Sequence, residues 1–158
     1  MPPSTVTLVT SALVAAGASG APVELPDAAR TALAAAEALG VEVGAIANSQ
    51  IFDADGSPVL VLTSGAHRVD TVAVAARIGV AALRRAAPEF VREHTGQPIG
   101  GVSPVGHPAA IPTYVDEWLG RHPVVWAAGG HPNWVFPTSY GELLSVTGGT
   151  PVDVAPTP

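Results

Sequence analysis

A chain of 158 residues with 47% hydrophobic side chains can build one domain with a sizeable core. Seven arginines, no lysine and a net charge of −6 exclude a wide, sequence-independent grip on a phosphate backbone, which needs several cationic contacts. The absence of cysteine excludes disulfides, thiolate chemistry and zinc–thiolate sites. Aromatic residues make up only 5%, so Ala, Val, Leu and Ile must do most of the packing. The charged share of 13% is about half the usual one, which hints at a covered face or self-association.

In chain order, Thr5 to Gly17 reads as a short helix closed by glycines at 17 and 20. No cation precedes Arg30, so this stretch lacks the charged start of a secretory signal, and no apolar run has the length of a membrane span. The chain is therefore expected in the cytoplasm, without a membrane partner. Val23 to Leu25 suggests a brief strand. Asp27 to Leu39 has helical apolar spacing and stops at Gly40. Val41 to Phe52 is β-branched and alternating, Asp53 to Gly56 has hairpin-turn composition, and Pro58 to Thr63 is the return strand.

Val69 to Ile78 predicts a helix with Asp70 at its start, and Ala81 to Ala86 is ambiguous between helix and strand. Pro88 opens a helix to His94, with Gly96 beyond its end. Pro98 to Pro112 is a long Gly- and Pro-rich loop, a length that usually marks function or disorder. Thr113 to Val115, Val124 to Ala127, Asn133 to Phe136 and Val152 to Val154 read as short strands, with a helix at Tyr140 to Thr147. The prediction is one α+β domain over 1–158, a mixed and largely antiparallel sheet or barrel surrounded by helices.

Three motifs carry chemistry. Asn48-Ser49-Gln50 lies on the first long strand, Thr63-Ser64-Gly65-Ala66-His67 leaves the second, and Thr95-Gly96 leads into Gly100-Gly101-Val102-Ser103-Pro104-Val105-Gly106-His107. With Asp70, Asp116 and Ala128-Gly129-Gly130, these residues resemble the YbaK/EbsC family of aminoacyl-tRNA deacylases, related to the editing domain of bacterial prolyl-tRNA synthetases. The resemblance covers about residues 26–154. It implies a trans-editing hydrolase that cleaves the ester of mischarged aminoacyl-tRNA. The first strand of such proteins usually presents a catalytic lysine, and the matching position here is Asn48. The glycine-rich loop would line the aminoacyl pocket, where glycine lets backbone N–H groups approach the ester.

The resemblance therefore implies catalytic roles for Asn48, Gly100, Gly101 and His107. Gln50, Ser64, His67, Val102, Ser103, Pro104, Gly106, Asp116, Gly129 and Gly130 would contact substrate. An asparagine amide can donate to an oxyanion, and an unperturbed histidine titrates near working pH, so His107 could handle water. Only one strand parity can face a pocket, which favours Asn48 and then Gln50. Each residue has a plainer reading: Asp116 as the cap of a helix at Glu117 to Gly120, Ser64 to Asp70 as a turn and N-cap, and His107 or His131 as loop hydrogen-bonding residues. His94 and His122 read as surface residues, and Trp118, Trp126 and Trp134 as core or pocket wall. No cofactor is implied, and the histidines lack metal-ligand spacing. The expected partner is the aminoacyl-tRNA acceptor end, with a synthetase or elongation factor holding the tRNA. Two alternatives stay open: a non-catalytic binder of the same fold, and a small-molecule ester or thioester hydrolase.

Overall fold

The computed structural model describes residues 2–26 and 31–155. Helices α1 (Ser4–Ala15), α2 (Ala32–Leu39), α3 (Thr71–Ile78), α4 (Pro88–Thr95) and α5 (Tyr140–Thr147) surround the strands. These are β1 (Val23–Glu24), β2 (Ile46–Ala54), β3 (Ser57–Ser64), β4 (Arg84–Arg85), β5 (Thr113–Asp116), β6 (Val125–Ala128), β7 (Trp134–Thr138) and β8 (Thr150–Val152). Among the described residues the strands form one mixed sheet in the order β1-β7-β6-β2-β3-β5-β8, with β4 also on β2. The fold is α+β, as the alternation of patterns predicted.

The β2–β3 hairpin is the longest ladder, pairing Ala47 with Ser64 through to Ala54 with Ser57. Its two-residue turn places Asp55 at φ 52° and Gly56 at φ 90°, the type I′ pattern that matches strand twist. The Asp53 carboxylate accepts the Gly56 N–H at 2.6 Å and pins the turn. Helix starts follow local chemistry. Thr31, Asp70 and Ser139 each accept a backbone N–H three residues on, capping α2, α3 and α5. The predicted start of α2 at Asp27 lies partly outside the described residues.

Several expectations change in detail. Val41 to Phe52 is not one strand, because Val43–Ala45 forms a 3-10 turn before β2. That turn delivers the Gly44 carbonyl to the Ser64 hydroxyl at 2.8 Å. The ambiguous Ala81 to Ala86 resolves as β4, pairing Arg85 with Phe52 and Arg84 with Asp53. The last strand sits at Thr150–Val152, where β5 supplies a parallel partner; Val154 instead accepts the Asp70 N–H. His122 is less exposed than expected, since its ring packs on Gly44.

Residues alternate between the two faces of β2. Ala47 and Ile51 join Leu60, Leu62, Val102, Val115 and Phe136 in the main core. Phe52 faces α3 with Val61 and Val74, and Ile46 faces α2 with Ala35 and Ala36. One edge of β2 is fully occupied by β3. On the other, β6 pairs only with Ile46 and Ala47, in parallel, and β4 only with Phe52 and Asp53. Residues 48–51 therefore have no strand partner on that edge among the described residues. This gap positions the site.

Candidate active site

A cleft of about 90 Å³ opens where β2 and β6 part. Asn48, Ser49 and Ala47 form one side and Trp126, Ala127 and Ala128 the other. Gly100 and Val102 enter from the long loop, while Ala32 and Ala35 of α2 and Trp134 and Asn133 complete the wall. Among the described residues the lining contains no ionisable side chain; its polar side chains include Thr31, Asn48, Ser49 and Asn133. A pocket over one face of the sheet would take residues of one parity only, but a cleft at a strand edge admits neighbouring residues of both. Asn48 and Ser49 both line it, and the Ser49 hydroxyl is buried without a hydrogen-bond partner.

Gln50 lines a second, larger chamber of about 560 Å³ further along the same edge, together with Ile51, Phe52, Arg85, Ile99 and Val102. Val102 lines both chambers.

The glycine-rich loop owes its shape to Gln97, a fully buried side chain that sequence reasoning did not single out. Its carbonyl oxygen accepts the Ser103 N–H at 2.6 Å, and its amide donates to the Val105 carbonyl at 3.1 Å. The Thr95 hydroxyl in turn accepts the Gln97 N–H at 3.0 Å. Gly101 lets the loop lie against the segment after β6. A Cβ there would sit 2.5 Å from Pro132 N and 2.6 Å from His131 Cα, contacts that real Cβ atoms do not make. Gly106 and Gly130 both press on Val9, so α1 backs both loops.

The loop does not deliver all its residues to one place. Ser103 is buried: its carbonyl takes the His107 Nε2–H at 2.8 Å and its hydroxyl accepts the Val105 N–H at 3.3 Å. Pro104, Gly106 and His107 line a separate depression of about 220 Å³ with Ile111 and Thr147. Burial holds the His107 pKa below the ordinary histidine value, against the opposing effect of its hydrogen bond to Ser103. Gly129 and Gly130 turn the chain from β6 towards β7 beside Pro22 and α1.

Asp116 and His67 form a third group. Asp116 is 1% exposed. One oxygen accepts the Ser64 N–H at 3.0 Å and the His67 Nδ1–H at 2.9 Å; the other caps the 3-10 turn Glu117–Arg121 through the Trp118 N–H. His67 packs on Trp118, whose other neighbour is the Arg121 guanidinium, 3.4 Å from the ring centre. The register places Thr63 opposite Asn48 and Val115 opposite Leu62. Asp116 therefore lies two strands from Asn48, about 10 Å at the usual strand spacing. Among the described residues no three His, Asp or Glu side chains are placed to hold a metal ion.

The sequence profile described as the aminoacyl-tRNA editing domain matches residues 26–146. The chain belongs to that family. This editing domain is 30% identical over 111 residues to the proline–tRNA ligase of Citrifermentans bemidjiense, 70% of this chain but 19% of the ligase. It is 31% identical over 85 residues to the Levilactobacillus brevis proline–tRNA ligase, covering 54% of this chain and 15% of that one. The chain thus spans under a fifth of those ligases. Against the uncharacterized protein YwhH of Bacillus subtilis, identity is 34% over 110 residues, 69% of each. A solved structure described as a candidate trans-editing enzyme for prolyl tRNA synthetase superposes at TM-score 0.92 with 42% identity, covering 99% of this chain and 100% of that one.

Asn48, Gly100 and Val102, which the resemblance singled out, line one cleft, whereas Ser49 and Gln97 were not among the expected site residues. Ser49 looked like the wrong parity. Gln97 acquires its importance through burial, which lets it bond Ser103 and Val105 of its own loop.

Proposed function

We propose that this editing domain hydrolyses the ester of mischarged aminoacyl-tRNA, with Asn48 as a neutral hydrogen-bond donor where its relatives are expected to use lysine. One observation carries the reading: Asn48 meets the glycine-rich loop in a cleft at an open strand edge. In the reaction, a water oxygen bonds to the ester carbonyl carbon and the bond to the ribose oxygen breaks. The water proton ends on that ribose oxygen. Between these events the carbonyl oxygen carries negative charge, and preorganised donors aimed at it are often the largest catalytic contribution. The Asn48 amide, the Ser49 hydroxyl and backbone near Gly100 are the donors within reach of the cleft. Trp126, Trp134 and the α2 alanines supply an apolar wall that strengthens such hydrogen bonds by excluding water.

The absence of ionisable side chains from the same lining, among the described residues, favours a second reading, a module that binds the aminoacyl end without turnover. Deacylation of Ala- and Ser-charged proline tRNA by wild type, Asn48→Ala and Asn48→Lys separates the two. Loss of one oxyanion donor lowers turnover about 10²-fold or more, so Asn48→Ala is expected to be that much slower. Equal rates for wild type and Asn48→Ala would refute the role of Asn48. An inactive wild type rescued by Asn48→Lys would establish the binding module.

A further inference from the structure

Among the described residues, all but one of the buried polar side chains are hydrogen-bonded, from Ser64 on the Gly44 carbonyl to Thr138 on the Glu142 carboxylate. Thr63 is the exception. It is 0% exposed, and its hydroxyl has no hydrogen-bond partner among the described residues. A hydroxyl in that state is costly to bury and calls for a functional account. The sheet register places Thr63 opposite Asn48. Cross-strand partners share a face, with Cβ atoms about 4.5–5.5 Å apart. Asn48 therefore stands between the Thr63 hydroxyl on one side and the open strand edge, with its cleft, on the other. Beyond the Leu62–Val115 pair, the register brings Asp116 to the far side of Thr63, but its oxygens already accept from Ser64, His67 and Trp118.

We propose that Thr63 is a positioning residue for the reaction at Asn48: its hydroxyl donates to the Asn48 side-chain oxygen and so turns the amide N–H groups into the cleft. The proposal rests on the functional reading above and extends it to the group that orients Asn48. A lysine presents donors only, whereas an asparagine amide can offer either its oxygen or its nitrogen to the same place. Oxygen facing the ester carbonyl would repel the developing negative charge; nitrogen facing it stabilises that charge. An asparagine at this position therefore needs a donor behind it, on the side away from the cleft. Thr63 is the residue there with a hydroxyl to give. Rotation of Asn48 about its own side-chain bonds spans the gap between cross-strand partners. Were Thr63 to accept from the amide instead, its own proton would stay buried without an acceptor.

Thr63→Val and Thr63→Ala delete the hydroxyl, and Thr63→Ser keeps it. These are compared with wild type, Asn48→Ala and the Asn48→Ala/Thr63→Val double variant. The readouts are the urea midpoint, deacylation of Ala-charged proline tRNA, and nitrogen-15 spectra of side-chain amides with 3′-alanylamido-3′-deoxyadenosine bound. The Asn48 resonance is identified by its loss in Asn48→Ala. Thr63→Val is expected to keep or raise the urea midpoint, because an unpaired buried hydroxyl is removed. Its kcat should fall about three- to tenfold, the worth of one neutral hydrogen bond, with KM little changed. Thr63→Ala should lose as much kcat, Thr63→Ser should stay close to wild type, and the double variant should be no slower than Asn48→Ala. Loss of a bond to the amide oxygen should move the Asn48 amide nitrogen upfield in Thr63→Val and leave it in place in Thr63→Ser. A lowered urea midpoint with the Asn48 resonance unmoved would assign the hydroxyl to the fold, through Asp116 or a buried water, and overturn the proposal. Wild-type kcat in Thr63→Val, a double variant slower than Asn48→Ala, or no binding of the probe by wild type would each overturn it too. The upfield shift in a protein that binds the probe but turns over no ester would uphold the contact with Asn48 while refuting the hydrolase reading.

Discussion

Replacing Gln97 with leucine is expected to loosen the glycine-rich loop while leaving the sheet intact. The glutamine is fully buried and satisfies the Ser103 N–H at 2.6 Å and the Val105 carbonyl at 3.1 Å. Leucine removes both partners, and each buried backbone group left unpaired costs about 1–3 kcal/mol. Leucine's more favourable transfer from water offsets about 1–2 kcal/mol of that. The expected net loss is about 2–4 kcal/mol in chemical denaturation, with weaker binding at the cleft because Gly100 and Val102 ride on the same loop. Gln97→Glu sharpens the test. A protonated carboxyl can donate to the Val105 carbonyl and accept from Ser103, whereas an ionised one turns an oxygen towards that carbonyl. The folded-state pKa of this glutamate should therefore lie above its unfolded value of about 4.3. Relative to wild type, the variant should keep its stability below that value and lose it as pH rises through the folded pKa. A Gln97→Leu protein within about 0.5 kcal/mol of wild type, the scatter of ordinary surface substitutions, would refute the reasoning.

Other outcomes follow from the same geometry. Gly101→Ala forces the loop from the His131–Pro132 backbone; a loss of about 1–3 kcal/mol is expected from overpacking, with turnover falling about 10²-fold from misplacement of roughly 1 Å. Unchanged melting and turnover would mean the loops do not touch at that point. Asp116→Ala strips the Ser64 N–H, the His67 ring and the Trp118 N–H of their acceptor and should cost about 3–5 kcal/mol by urea titration; a loss under about 1 kcal/mol would deny the carboxylate this structural role. His107 has a depressed folded pKa, so its contribution to stability is present above its unfolded value of about 6.5 and lost as pH falls through the folded one. His107→Asn should flatten that part of the stability–pH curve, and an unchanged curve would count against a buried neutral imidazole. Because no ionisable side chain among the described residues lines the Asn48 cleft, kcat/KM should rise with pH without an enzyme-derived falling limb between about pH 6 and 9; a bell-shaped profile would point to a titrating group outside that lining.

Local chemistry made much of this chain legible before any coordinates. The Asp55–Gly56 turn between alternating strands specifies a hairpin because the required φ values suit few other pairs. Asp70 marks the start of α3 because its capping partner is a near neighbour. The resemblance also directed attention to Asn48 and the Gly100–Val102 loop, since those motifs are continuous in sequence. Tertiary structure decided what depends on distant strands. That β6 holds β2 for only two residues and β4 catches it again at Phe52 is a property of three separate segments, so no local pattern reveals the open edge between them. Gln97 bonds Ser103 and Val105 within its own loop, yet only burial, which residue type does not announce, makes that side chain indispensable. The resemblance made Asp116 and His67 expected companions of Asn48 at the substrate. Sheet register instead sets Asp116, to which His67 is bonded, about two strand spacings away, since each intervening strand adds a fixed width of backbone that no side-chain choice can shorten.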